Sequence, residues 1–286
     1  MNQDILTSIR ENMSTFSKGQ KRIANFILES YDKAAFMTAS KLGQTVNVSE
    51  STVVRFAAEL GYDGYPSMQR SLQKMIRSRL TSVQRIEIAN DQIGDDVASS
   101  VLRSDMSMIR STLEELDKDR FNAAVDAILK AKKIYIMGAR SSTSISHFLA
   151  FYFNVIFDNV CEISSTVASE VFEQILRVGK NDVLIGVSFP RYSSRTVKAM
   201  HYARDRGASV IAITDSEASP VAAEADITLT AKSDMASFVD SLVAPLSLVN
   251  ALIVAVSQKR GQDVARTFQQ LEQIWEEYDV FEKGGN

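Results

Sequence analysis

The chain has 286 residues, 45% of them hydrophobic and 23% charged, with a formal net charge of −3. This is the composition of a globular protein with length for two modest domains or one large one, and no apolar run reaches the roughly 18 residues that a membrane span needs. The start, MNQDILTSIRENMS, carries acidic residues and lacks an apolar h-region, so no signal peptide is expected. The single cysteine, Cys161, excludes an internal disulfide and has no histidine near it in sequence, so thiol catalysis is not expected and a cytoplasmic protein is. The charge is uneven: residues 1–85 hold 12 Lys and Arg against 7 Asp and Glu, the remainder 20 against 28. A basic small module joined to an acidic larger one suggests nucleic acid at one end and a different ligand at the other.

The predicted elements begin at Ser17. Ser17 and Gln20 have capping-box spacing, and Ile23, Phe26, Ile27 and Tyr31 share one helical face. A short helix follows with Thr38 as N-cap and Leu42 inward. After the turn Val46-Asn47-Val48, Ser49 caps a third helix to Leu60 that buries Val53, Phe56, Ala57 and Leu60 and stops at Gly61. Two short helices joined by such a turn match a helix-turn-helix. The exposed start of the third helix carries Ser49, Ser51, Thr52 and Arg55, types that suit phosphate and base-edge contacts in a major groove; they equally fit a solvated helix face. A fourth helix is expected from Pro66 to about Ile88, with basic Arg70, Arg77, Arg79 and Arg85, and the polar stretch 87–94 reads as a boundary. The division expected is a DNA-binding domain over 1–85, a linker over 86–95 and a second domain over 96–286.

Beyond residue 95 short apolar runs alternate with helical periodicity. The runs are Ile134–Met137, Val160–Ile163, Val183–Ser188, Val210–Thr214 and Ile227–Thr230, with helices expected over Ile145–Phe157, Ala168–Arg177 and Thr196–Arg206 and a short one after Pro220. Near-continuous apolar strands between helices predict a five-stranded parallel sheet covered on both faces, of flavodoxin-like type. The fold class is thus an all-α module followed by an α/β domain. Phe238–Val256 is apolar on most sides and is expected to be buried, within the domain or at a subunit interface; Gln262–Val280 is amphipathic and holds Trp275.

Two strand-to-helix junctions stand out. Gly186-Val187-Ser188-Phe189-Pro190-Arg191-Tyr192-Ser193-Ser194-Arg195-Thr196 crowds hydroxyls and two arginines onto one strand end, and Met137-Gly138-Ala139-Arg140-Ser141-Ser142 does so on another. In a parallel sheet such loops bind anions, through hydroxyls, backbone N–H groups and the positive helix end. Ser and Thr are also ordinary helix caps, so one loop alone would mean little. Arg140 replaces the second glycine of a dinucleotide motif and no Walker-type loop occurs, so no nucleotide cofactor is expected. His147 and His201, the only histidines, read as partly buried helix residues, and no metal site is expected.

Taken together the chain resembles the RpiR family of bacterial transcriptional regulators. The resemblance rests on Ser17-Lys18-Gly19-Gln20-Lys21-Arg22-Ile23-Ala24, Val48-Ser49-Glu50-Ser51-Thr52-Val53-Val54-Arg55-Phe56 and Leu60-Gly61-Tyr62. It also rests on the sugar isomerase (SIS) features around Gly138–Ser142, Val187–Thr196 and Val210–Asp215. It implies a dimeric or tetrameric regulator that reads double-stranded, palindromic operator DNA and whose SIS domain takes a phosphosugar. Carried over by position, Ser141 and Ser142 match the first phosphate loop, and Ser188, Ser193, Ser194 and Thr196 the second, with Arg191 and Arg195 as charge-assisted contacts. Arg140 and Glu170 are candidates for the sugar; Lys18 and Lys41 join Ser49, Ser51, Thr52 and Arg55 as candidates for DNA. The second loop departs from the usual S-x-S-G-x-T: three extra residues precede Ser193, and Ser194 stands in place of glycine. Ala58-Glu59 is less basic than in many relatives. Two other functions are weighed beside a regulator: a phosphosugar isomerase with Glu170 as base, and a DNA-binding protein whose SIS domain serves only to oligomerise.

Overall fold

The computed structural model describes residues 5–76, 81–92, 96–165, 167–235 and 237–282. They form two compact units, one drawn from residues 1–100 with 235–239 and one from 101–234 with 240–286.

The first unit is all helical. It contains α1 (Ile5–Glu11), α2 (Lys18–Glu29), α3 (Tyr31–Ala34), α4 (Ala39–Thr45), α5 (Glu50–Glu59), α6 (Tyr65–Ile76) and α7 (Ser82–Gln92). Three starts are set by short hydroxyl side chains that accept an otherwise unpaired N–H: Ser17 from Gln20 within a full capping box, Thr38 from Lys41 and Ser49 from Thr52. Ile23, Ile27, Leu42, Val53, Phe56, Met68 and Leu72 are completely or nearly completely buried at the centre, each side chain contributing about 1.5–3 kcal/mol on removal from water. α6 in turn satisfies the end of α3: Tyr65 Oη donates to Met37 O at 2.7 Å, and the Gln69 and Gln73 amides donate to Met37 O and Ala35 O. Burial pushes the Tyr65 phenol up to about 12. The neutral phenol is therefore the form that folding favours, and this contribution, complete below pH 10, is lost as pH rises toward 12.

The expected fourth helix is divided. Thr81 and Gln84 exchange capping-box hydrogen bonds, so a new helix starts at Ser82. Arg77, Arg79 and Leu80 lie outside the described residues. Residues 87–92, read as the start of a linker, belong to α7, and 93–95 are again outside the described residues.

The second unit opens with α8 (Val97–Glu114, begun in the first unit's range) and α9 (Lys118–Lys130), neither of which the sequence reading had delimited. It continues as β1 (Ile134–Gly138), α10 (Ser142–Ile156), β2 (Val160–Ile163), α11 (Ala168–Gln174), β3 (Val183–Val187), α12 (Ser194–Asp205), β4 (Ser209–Thr214), a 3-10 turn at Ala222–Glu224 and β5 (Ile227–Thr230), then α13 (Val243–Arg260) and α14 (Gln262–Glu277). All strand pairs are parallel, in the order β2-β1-β3-β4-β5. Alternation along β1 explains why both faces are covered: Ile134 and Ile136 enter a cluster with α9, α10 and α13, whereas Tyr135 and Met137 enter one with α11 and α12. Gly186 in β3 lets α12 pack close, since a Cβ there would lie 2.3 Å from Met200 Sδ of α12 and force that side chain to move.

Two expectations need correction. The apolar stretch from Phe238 becomes helical only at Val243; Phe238 and Val239 are exposed in a non-helical segment, and α13 buries Leu248, Val249, Leu252 and Val256 in the core cluster it shares with α9 and α10. The histidines are surface residues, not partly buried ones. His147 Nδ1 lies 3.1 Å from the Glu162 carboxylate and His201 bridges Glu224 and Asp205.

Candidate functional site

In the first unit, the turn between α4 and α5 is held by two local features. Gly43 approaches the turn so closely that a Cβ would lie 2.9 Å from Val48 O, and Asn47 takes a left-handed φ of 54° that Asn tolerates better than most residues. Ser49 then caps α5, its Oγ also lying 2.9 Å from Ser51 Oγ and 2.8 Å from Thr52 Oγ1. Arg55 Nε donates to Ser51 O at 3.3 Å, leaving the rest of an exposed guanidinium at the same helix start. The start of α2 lies alongside, because a Cβ on Gly19 would meet Thr52 Cγ2 at 3.4 Å. Lys18, the residue before Gly19, is exposed at the start of α2. Lys41 is exposed in the first turn of α4. Glu59 accepts a hydrogen bond from the Gln20 side-chain amide, whose oxygen accepts from Ser17 N at 2.8 Å. That carboxylate ties α5 to the cap of α2.

In the second unit, β1 and β3 are neighbours although β2 separates them in sequence. Chain direction across the sheet reverses between them, and in open parallel sheets the crevice at such a point, beyond the carboxyl ends, is where ligands sit. The two hydroxyl-rich loops are the loops that leave β1 and β3. Gly138 ends β1 where a Cβ would lie 2.4 Å from Ser142 O, so α10 starts directly against the strand. Arg140 is exposed with a left-handed φ of 57°, a conformation that costs a non-glycine residue about 1 kcal/mol or more and gathers at ligand loops. Ser141 is exposed and makes no capping hydrogen bond, and Ser142 is buried.

The second loop is more enclosed. Ser188 is buried and its Oγ accepts from Ser193 N at 3.2 Å; Ser193 caps α12 by accepting from Thr196 N at 3.3 Å. Thr196 is fully buried, and its hydroxyl has no hydrogen-bond partner among the described residues. An orphaned buried hydroxyl loses about 1–3 kcal/mol relative to a paired one, so this helix start retains unspent hydrogen-bonding capacity. Ser194 is exposed in the same turn, as is Arg191 in the loop. Arg195 is half-buried and donates to Ser165 O at 3.1 Å, across to the loop after β2. The Ser165 hydroxyl donates to Glu170 at 2.5 Å. Arg195 and Glu170 thus meet at one residue.

Sequence reasoning missed Ser165, Tyr192 and Asp215. Tyr192 Oη donates to Asp215 Oδ1 at 2.8 Å, and Thr214 Oγ1 donates to the same oxygen at 3.3 Å. These contacts join loops far apart in sequence, and only the strand order reveals them. Among the described residues no three His, Cys, Asp or Glu side chains cluster as metal ligands do.

A helical module holding a helix-turn-helix, followed by a doubly wound α/β domain with hydroxyl-rich loops at two neighbouring strand ends, defines a protein of the helix-turn-helix-plus-SIS class. The helix-turn-helix domain of the rpiR family matches residues 3–79 and the SIS domain matches residues 127–255. The chain belongs to the RpiR family. It is 25% identical over 268 residues to the HTH-type transcriptional regulator HexR of Pseudomonas aeruginosa, covering 91% of this chain and 92% of that one. To HexR of Escherichia coli it is 26% identical over 267 residues, covering 90% and 89%. Its fold is similar to that of Vibrio vulnificus NanR, solved in complex with ManNAc-6P (TM-score 0.59, 22% identity, 95% of this chain and 97% of the other). It is similar also to the sugar isomerase domain of an RpiR transcription factor from Sphaerobacter thermophilus (TM-score 0.60, 24% identity, 63% and 99%). None of the described helices is long and apolar enough to cross a membrane.

Proposed function

We propose that this protein is a DNA-binding transcriptional regulator whose SIS domain binds a phosphosugar, and that this binding changes its affinity for an operator. The observation that carries the reading is the crevice between β1 and β3, where the start of α12 presents a buried, unpartnered Thr196 hydroxyl beside Ser188 and Ser193. A phosphate there meets N–H groups, hydroxyls and the positive end of a 12-residue helix. Ser141, Ser142 and Arg140 approach from the neighbouring strand end, with Ser194, Arg191 and Arg195 at the second loop. The NanR complex supports a sugar phosphate as the class of ligand. DNA contact is assigned to the module within residues 1–85, through Arg55, Ser49, Ser51 and Thr52 on α5, with Lys18 and Lys41 on phosphates.

A regulator is favoured over an isomerase by the names of the relatives and by Glu170, whose exposed carboxylate is already engaged by Ser165. A homodimer or homotetramer fits the reading, since two half-sites of a palindrome call for two modules; α13 leaves Val243, Leu246 and Val254 exposed on the second unit. The test is a thermal-shift and calorimetric screen with matched pairs of phosphorylated and unphosphorylated sugars. Stabilisation by the phosphorylated member alone is expected. Equal binding of both members would remove the phosphate site.

A further inference from the structure

The three extra residues of the second loop have a structural consequence that points to effector selectivity. Phe189 is buried in the main core cluster and anchors the start of the insertion. Tyr192, at its far end, is half-buried and reaches the carboxyl end of β4, where its hydroxyl donates to Asp215. Asp215 also follows from register: Ser188 N donates to Ile213 O at 3.1 Å, so Asp215 stands two residues beyond the backbone partner of the phosphate-loop serine. Both recorded hydroxyl donors, from Tyr192 and Thr214, fall on one oxygen, Oδ1. Asp215 Oδ1 is thus held by Thr214 at the end of β4 and by Tyr192 from a loop that the usual S-x-S-G-x-T pattern does not have.

A carboxylate next to an anion site is a liability for phosphate alone, because like charges repel. It becomes an asset when the ligand carries hydroxyl groups, since an ionised carboxylate is a strong acceptor for O–H donors. We infer that Tyr192 and Asp215 read the hydroxyls of the effector's carbon chain: Tyr192 fixes Asp215, and Asp215 discriminates among polyol phosphates bound at Ser188, Ser193 and Thr196. This inference rests on the phosphosugar reading above and adds the residues that set which phosphosugar is preferred.

The test is calorimetry on the full-length protein with inorganic phosphate, glycerol 3-phosphate and the 6-phosphates of glucose, fructose, mannose and glucosamine. It compares wild type with Tyr192→Phe and Asp215→Asn. Asp215→Asn removes the negative charge but retains an acceptor for Tyr192, so inorganic phosphate should bind more tightly while the preferred hexose phosphate weakens by about tenfold, the scale of a lost charged hydrogen bond. Tyr192→Phe, the removal of one hydroxyl from a half-buried loop residue, should narrow the spread among the hexose 6-phosphates without the gain for inorganic phosphate. Variants that shift every ligand by the same factor, or leave the order of preference as in wild type, would overturn the inference. If wild-type protein binds none of the six, the underlying phosphosugar reading fails and takes this inference with it.

Discussion

Two helices of this protein begin with the same spacing, Ser-x-x-Thr: Ser49 to Thr52 opens α5 and Ser193 to Thr196 opens α12. In both, the serine accepts from the threonine N–H at 3.3 Å, and in both a glycine sits where a side chain would not fit, Gly43 beside the α5 turn and Gly186 beneath α12. They differ at the threonine hydroxyl. Thr52 is half-exposed and bonded to Ser49, so its helix start is complete in itself and faces outward. Thr196 is fully buried with its hydroxyl unpartnered among the described residues, so its helix start keeps hydrogen-bonding capacity that its own turn does not use. The same Ser-x-x-Thr spacing therefore opens one exposed helix start and one buried helix start, the first assigned to DNA and the second to an anion in the function proposed above. Surroundings, not the cap, decide which.

Breaking the glycines should have the largest effect, and an unequal one. Gly43→Ala sets a Cβ against the backbone oxygen of Val48, which cannot turn aside; a loss of about 3 kcal/mol is expected, at the upper end for overpacking. Gly186→Ala meets the flexible Met200 side chain instead and should lose about 1–2 kcal/mol. Urea unfolding of both variants checks the order.

The threonines should respond with opposite signs. Thr196→Val keeps shape and removes an orphaned hydroxyl, so it should leave stability unchanged or raise it by about 1 kcal/mol, while sugar-phosphate affinity falls by roughly tenfold. Thr52→Val breaks a made hydrogen bond and should lower stability by about 0.5–1 kcal/mol, with weaker operator binding. Thermal melts, calorimetry and mobility shifts separate the two. Destabilisation by Thr196→Val would mean that its hydroxyl already has a partner.

The first phosphate loop supplies a smaller effect. Arg140→Gly relieves a left-handed φ of 57° and should stabilise the protein by about 0.5–1 kcal/mol, yet weaken the sugar phosphate by removing a cation. A melting temperature that falls would argue that the guanidinium makes a structural contact.

Much of this was legible in the sequence, for reasons that can be named. The central strands β1, β3 and β4 are buried on both faces and the edge strands partly so, and all five read as largely apolar runs, so their limits fall within a residue of the expected ones. The caps at Ser17, Thr38 and Ser49 were legible because a cap bonds within three residues. The box at Thr81 and Gln84 has the same signature, but continuing apolar periodicity hid it. Phe238–Leu242 is as apolar as the helix after it, and composition alone could not place the helix start. Tyr192 with Asp215 and Arg195 with Ser165 were invisible, because each pair meets only through strand order.

The central claim is that the crevice governs DNA affinity, and coupling between two sites is reciprocal. The most direct measurement is a mobility-shift titration of wild-type and Thr196→Val protein on a selected operator, with and without a sugar phosphate at the concentration that half-saturates wild type. The account predicts that the sugar phosphate changes wild-type operator affinity, that the unphosphorylated sugar does not, and that Thr196→Val binds operator as wild type does but responds weakly. A full response from Thr196→Val, or wild-type protein that binds the sugar phosphate with no change in operator affinity, would contradict it.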